Sequence, residues 1–271
     1  MNEMLRMTAE SAARAGAAEL LRHVGNITDL RTKSGARDLV SAADIGSGVA
    51  VARAISESLE GARFVVEEPE VYDLAGVAQG SLSEDAVWVI DPLDGTTSFV
   101  HGYPCWSVSV AYLECGMPMA GAVYDVPSDV LYSAASNAGS TANGVPLACS
   151  GAGTLDEALI VTGFPYDRTV TLDRQLILLE RVIRRAHDVR RDGSAAIDLC
   201  RVATNAVDGF WELGLKCWDM AAGVLVLTES GATVTSLDGS PWSIETADVL
   251  AANPVLHAEL VTLLAETGTN Q

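Results

Sequence analysis

Two carboxylates three residues apart, Asp91 and Asp94, close an apolar run from Ala86 to Ile90. The run reads as a buried strand. It gives way to Pro92, Leu93, Gly95, Thr96 and Thr97 around the two acids. Both acids are then held at the strand's carboxyl end, and Pro92 stiffens the turn between them. Gly95 and the threonines add backbone N–H groups and hydroxyls. Hard oxygen ligands beside N–H donors are what a divalent cation and a phosphate need together. The same letters also spell an ordinary turn after a strand, so on local pattern a turn and a cation site stand level.

Further acids sit where elements begin or end. Arg63 to Glu68 reads as a short strand ending in Glu67 and Glu68. Ser41 and Asp44 form a Ser-x-x-Asp capping box ahead of a helix with the stripe Ile45, Val49, Ala52, Ile55 and Leu59. Gly193 and Ser194 open another helix, whose N–H groups favour an anion or a sugar hydroxyl. Asp208 to Leu213 reads as a strand with Glu212 near its end, and Asp219 in Trp218-Asp219-Met220 stands at a helix start, where it fits a cap.

The elements that would position these groups follow from periodicity. Residues 3–24 read as an amphipathic helix on Leu5, Ala9, Ala12, Ala13, Ala17, Leu20, Leu21 and Val24. Residues 69–85, with Pro, Gly, Ser and acids, read as a surface loop. Alternating runs at 106–113, 120–124 and 130–134 form an antiparallel meander, and Asn143-Gly144 is a tight-turn signal with a soft boundary beside it. The second half alternates: strand 159–162, helix 172–185 on Leu172, Leu176, Leu179 and Ile183, strands 232–236 and 249–252, and a last helix 254–266. His101 and Trp106 read as core or rim.

Three stretches together resemble the inositol monophosphatase family: the strand with Asp91-Pro-Leu-Asp-Gly-Thr96, the Lys33-Ser34…Asp38-Leu-Val-Ser-Ala-Ala-Asp44 stretch, and Trp218-Asp219-Met-Ala-Ala-Gly223. The similarity covers nearly the whole chain. It implies a mixed α/β fold layered α-β-α-β-α, of the inositol monophosphatase and fructose-1,6-bisphosphatase type. An N-terminal half, 1–144, would carry the main metal motif, and a second half, 145–271, would complete the site.

The resemblance also assigns roles. Two Mg²⁺ ions, with a third and weaker one as a family trait, would be held by Glu67, Asp91, the Leu93 carbonyl, Asp94 and Asp219. Asp44, Glu67 and Thr96 would be catalytic and orient the attacking water. Asp94, Gly95, Thr96, Gly193, Ser194, Ala195, Glu212 and Asp219 would contact the substrate. Val66 stands where the family has Gly, which puts the shape of the Glu67 turn in doubt. All-oxygen ligation suits Mg²⁺ better than zinc. In the two-metal scheme one ion lowers the pKa of water and the other steadies the leaving oxygen.

The implied activity is hydrolysis of a small polyol or sugar monophosphate, inositol monophosphate first. Histidinol phosphate and fructose 1,6-bisphosphate are the alternatives within the family. A non-catalytic regulator keeping the fold is the alternative outside it. Haloacid-dehalogenase-like phosphatases use Asp-x-Asp-Gly-Thr, one residue shorter than Asp91-x-x-Asp94, and leave the Trp218-Asp219 motif unexplained.

Bulk properties exclude other classes. The chain has 271 residues and a formal charge of −19, which repels nucleic acid and anionic membranes. No apolar run approaches the ~18 residues of a membrane span, and Met1 to Leu21 carries Glu3 and Glu10, unlike a signal peptide. The expected setting is cytoplasmic. Five cysteines without Cys-x-x-Cys spacing argue against a disulfide framework and a zinc site. A small phosphorylated substrate is the expected partner, and a homodimer and lithium sensitivity are family traits.

Overall fold

A computed structural model describes residues 1–32, 39–165 and 168–265, with backbone alone at residue 39 and at 168–170. Lys33 to Asp38 of the second motif, Tyr166 and Asp167 of the 163–168 loop, and Glu266 of the last helix lie outside the described residues.

The chain opens with α1 (Asn2–His23), the short hairpin β1 (Arg31–Thr32) and β2 (Leu39–Val40), and α2 (Ala42–Ser58). Then come β3 (Arg63–Val66), α3 (Glu70–Ala75), β4 (Ala78–Gln79), β5 (Ala86–Asp94) and α4 (Thr96–His101). The meander is β6 (Ser107–Glu114), β7 (Met117–Asp125), β8 (Val130–Ala135), β9 (Gly139–Ala142) and β10 (Val145–Pro146). The remainder runs β11 (Leu159–Thr162), α5 (Arg168–Ile183), β12 (Asp188–Arg190), α6 (Ala195–Ala203), β13 (Gly209–Glu212), α7 (Cys217–Glu229), β14 (Thr233–Thr235), β15 (Val249–Ala252) and α8 (Pro254–Ala265).

Two sheets form. One has eight strands in the order β10-β9-β8-β7-β6-β5-β3-β4, and the other five in the order β12-β11-β13-β15-β14. Leu5, Ala9, Ala13, Ala17 and Leu20 of α1, with Val51, Ala52 and Ile55 of α2, cover one face of the large sheet over Trp88, Ile90, Val108 and Val110. The opposite face, with Val87, Val89, Ala111 and Val123, packs on α6 and α7, and those helices meet Phe210, Val249 and Ala251 of the small sheet. Leu178 and Val182 of α5 and Leu256, Leu260 and Leu264 of α8 cover its outer face. The layers are therefore α-β-α-β-α. Two halves joined near residue 144 remain a proposal, because α6 and α7 serve both sheets.

Four sequence expectations need correction. Residues 69–85 are not a plain loop, since α3 and β4 lie within them; α3 ends on Gly76 at φ 71°, a turn that costs glycine least. Leu21 of α1 and Val24, just past its end, are exposed. The buried face of α2 runs through Ser47, Gly48, Val51, Ala52 and Ile55, a rotation away from Ile45 and Val49. On α5, Leu172, Leu176 and Ile183 face outward while Gln175, Leu178 and Val182 face in. β9, α4 and β12 were not anticipated. Asn143 and Gly144, both at positive φ, do make the tight turn between β9 and β10.

Candidate active site

β5 is the spine of the site. It pairs with β3 through Val66–Ile90 and with β6 through Asp91–Ser109 and Asp94–Ser107. Three steps on β5 thus match two on β6, a bulge that re-aims the two acids. The strand reaches through Asp94 instead of stopping at Ile90. Leu93 N–H donates to Asp91 Oδ1 at 3.0 Å, and Ser47 Oγ donates to the Pro92 carbonyl at 2.7 Å, pinning the bulge from α2. Gly95 follows at φ 91°, where an added Cβ would stand 2.7 Å from the Cys105 carbonyl. Both the conformation and the space call for glycine. Val66 lies in regular pairing within β3, and its N–H donates to Tyr72 Oη at 3.0 Å, so the position needs no glycine here.

The two oxygens of Asp44 face different partners. Its Oδ2 accepts from Ser41 N–H at 2.8 Å and Ser41 Oγ at 2.6 Å, completing the cap of α2. Its Oδ1 accepts from Thr96 Oγ1 at 2.9 Å. The Leu93 carbonyl lies 3.1 Å from the same hydroxyl. With its proton committed to Asp44, Thr96 Oγ1 presents lone pairs. Asp44 is 1 % exposed and stands behind Thr96, which itself lines the cavity described below.

Asp94 Oδ2 accepts from Ser194 Oγ at 2.6 Å and Ala196 N–H at 2.9 Å, which turns the first turn of α6 toward this carboxylate. Lys216 N–H donates to Asp219 Oδ2 at 2.7 Å, making Asp219 the cap of α7 and a wall of the site at once. Asp219 also shares a side-chain hydrogen bond with Asp91.

These groups surround a cavity of about 480 Å³. Glu67, Asp91, Leu93, Asp94, Gly95, Thr96, Gly193, Ser194, Ala195, Glu212 and Asp219 all line it. Phe164, Pro165, Thr171, Arg191, Asp198, Lys216 and Trp218 line it too and had been assigned no role. The usable signal was topological. β11 runs parallel to both β12 and β13, so the segments after all three strands gather at one end, the usual ligand side of a parallel sheet.

Like charges in a closed space show in the titration. Burial raises Asp94; its bonds from Ser194 and Ala196 pull it back, and the charge of Glu67 adds to the rise. Burial, then the charge of Asp94, raises Asp219. Burial first and Asp219 next push Glu212 up to about 8, against the pull of Arg191. Burial also drives Asp198 well above the carboxylate range, with Asp192 adding to it and Arg201 opposing.

The donor set fits a hard divalent cation: carboxylates from three segments, drawn close enough to raise one another. Among the described residues no three side chains close on one point as a ready-made cage. Asp94 and Asp219 are turned toward N–H and O–H donors instead.

A layered α-β-α-β-α fold with a carboxylate-lined cavity between its sheets defines the class of protein. The profile of the Inositol monophosphatase family matches residues 1–269, and the chain belongs to that family. An inositol-1-monophosphatase from Synechocystis sp. is 38% identical over 96% of this chain and 88% of its own. A protein from Neisseria meningitidis named putative Nus factor SuhB is 34% identical over 98% of this chain and 99% of its own. The solved inositol monophosphatase from Anabaena superposes with a TM-score of 0.86 at 34% identity, covering 98% of this chain and 97% of that one. Among the described residues no helix is long and apolar enough to cross a membrane.

Proposed function

We propose that this chain is a Mg²⁺-dependent phosphomonoesterase acting on a phosphate ester of a polyol or sugar, inositol monophosphate first, in the cytoplasm and as a homodimer. The observation that carries the reading is the Asp44–Thr96 pair set beside Glu67, Asp91, Asp94 and Asp219 on one cavity. Glu67, Asp91, the Leu93 carbonyl, Asp94 and Asp219 would hold two ions. Bound there, Mg²⁺ supplies charge neutralisation for the phosphate and a lowered pKa for water.

The chain's own groups do the rest. Thr96 Oγ1, its proton held by Asp44, accepts a hydrogen from the attacking water and aims the oxygen lone pair at phosphorus. Glu67 assists at the same water. Backbone N–H groups of Gly95 and Thr96 receive the phosphate oxygens. Gly193 and Ala195 pack along the leaving alcohol, and Ser194 keeps Asp94 in place. Glu212 accepts a hydroxyl of that alcohol, and its closeness to Gly163 fixes its position.

The test is phosphate release with and without Mg²⁺ from inositol 1-phosphate, histidinol phosphate, fructose 1,6-bisphosphate and 3′-phosphoadenosine 5′-phosphate. Mg²⁺-dependent release, lost in Asp94→Asn, supports the reading. No release from any ester overturns it. A second reading, a role in an assembly, is favoured by relatives named Nus factor SuhB. It predicts that Asp94→Asn keeps full function in the cell while phosphate release is lost.

A further inference from the structure

The cations of this acidic chain are almost all spent on itself. Among the arginines whose side chains are described, all but Arg191 have a partner within the chain. Those partners are carboxylates, main-chain carbonyls or, for Arg14, the Tyr124 ring. Among the described residues Arg191 makes no hydrogen bond or ion pair, and neither does the side chain of Lys216, the one lysine described. Both line the same cavity. Two unpaired cations facing one pocket, in a chain of charge −19, point to an anion as their shared partner.

Their place in the fold says which anion. Arg191 is the first residue after β12, and Lys216 follows β13. These strands flank β11 and run parallel to it, so their ends stand about 10 Å apart, two strand spacings. Two long side chains can close on one small anion across that span. Gly163, Phe164 and Pro165 leave β11 between them and line the cavity there. Arg191 Nη1 lies over Gly193, 2.8 Å from where a Cβ would stand, and its charge reaches Glu212. All of this belongs to the small sheet. The reacting phosphate belongs to the other wall, at Gly95 and Thr96 after β5. The cations therefore face the leaving group.

We infer that Arg191 and Lys216 form a second-anion subsite, selecting leaving groups that carry a further phosphate or carboxylate. The inference rests on the phosphatase reading and extends its substrate class from monophosphates to esters whose alcohol carries a second anion.

The test uses substrate pairs that differ by one anion: fructose 1,6-bisphosphate against fructose 1-phosphate, and 2-phosphoglycerate against glycerol 2-phosphate. The readout is the ratio of kcat/KM within each pair, for release of the first phosphate in Mg²⁺. Wild type is expected to favour the bis-anionic member by about tenfold or more, the scale of a charge-assisted contact. The pair that shows it identifies phosphate or carboxylate. Arg191→Gln combined with Lys216→Gln brings the ratio to about one, and Arg191→Lys keeps part of it.

A wild-type ratio near one, or an undiminished ratio in the double variant, overturns the inference. An undiminished ratio with a changed sedimentation mass overturns it too and assigns Arg191 to a contact between copies. If no ester is hydrolysed, the phosphatase reading fails separately, and calorimetric titration with the same pairs decides the subsite. Tighter binding of the bis-anionic member, lost in the double variant, supports it; equal binding refutes it.

Discussion

Two buried acids beside the cavity, Asp44 on the large-sheet side and Glu212 on the small-sheet side, stand in opposite surroundings. On the large-sheet wall, Asp44 is 1 % exposed yet accepts from a main-chain N–H and two hydroxyls. On the small-sheet wall, Glu212 is buried with Gly163 pressed against it, and its carboxyl rises to about 8. Three donors offset the burial of a charge, and a neighbouring acid compounds it. The first wall is thus built to hold one arrangement whatever the ester. The second is built to be completed by a ligand, which suits a surface that discriminates among alcohols.

The contrast breaks most sharply at Thr96. Thr96→Val removes the hydroxyl proposed to orient the water and withdraws a donor from Asp44. Phosphate release is expected to fall roughly a hundredfold or more, equally for inositol 1-phosphate and for p-nitrophenyl phosphate. Steady-state rates on both esters check this. A loss confined to one ester would place Thr96 with the discriminating wall instead.

Gly163→Ala probes the other wall. A Cβ there would stand 2.1 Å from Glu212 Oε1, so the carboxylate must move. The expected result is about a tenfold loss in kcat/KM for inositol 1-phosphate and a smaller one for p-nitrophenyl phosphate, which has no hydroxyls to read. Equal losses on the two esters would erase the difference between the walls.

How much of this could be read from the chain alone differs between the walls in the same way. Asp44, Asp91, Asp94 and Asp219 were legible because each sits at a junction with its own signal: a capping box, a strand end before Gly, or a helix start. The capping and family readings of Asp44 were not rivals, since one oxygen serves Ser41 and the other Thr96. Arg191, Asp198 and Lys216 were not legible, because they meet only through the parallel order of β12, β11 and β13. α5 shows the limit of periodicity. Leu172, Leu176 and Ile183 keep helical spacing, but so do Gln175, Leu178 and Val182, and packing against α8 chose the second set. α3 was missed because six residues bury little beyond Val71.

Glu212→Gln sharpens the comparison through pH. Glu212 titrates near 4.5 when unfolded and at about 8 when folded. Between those values the native state holds a proton that the unfolded state has released, so stability falls as pH climbs through the interval and levels off above it. In Mg²⁺-free buffer, urea unfolding of wild type is expected to weaken from pH 5 to pH 8. The Gln variant, which cannot ionise, should show a flatter profile. Identical profiles would mean that Arg191 already compensates the charge.

The smallest effect is expected at Ser41. Ser41→Ala deletes the 2.6 Å bond to Asp44 Oδ2 and the side-chain cap on Ala43 N–H. The Ser41 N–H bond to the same oxygen stays, at 2.8 Å, and Thr96 still holds the other oxygen. Loss of a cap costs about 1 kcal/mol, or about 2–4 °C in Tm for a chain of this size. Because Thr96 keeps its acceptor, phosphate release should suffer far less than in Thr96→Val. Calorimetry and rate measured on one preparation separate the two effects. If Ser41→Ala instead costs as much rate as Thr96→Val, then the cap itself sets the angle of Asp44. The steadiness of the first wall would then come from the end of α2 and not from the hydroxyl of Thr96.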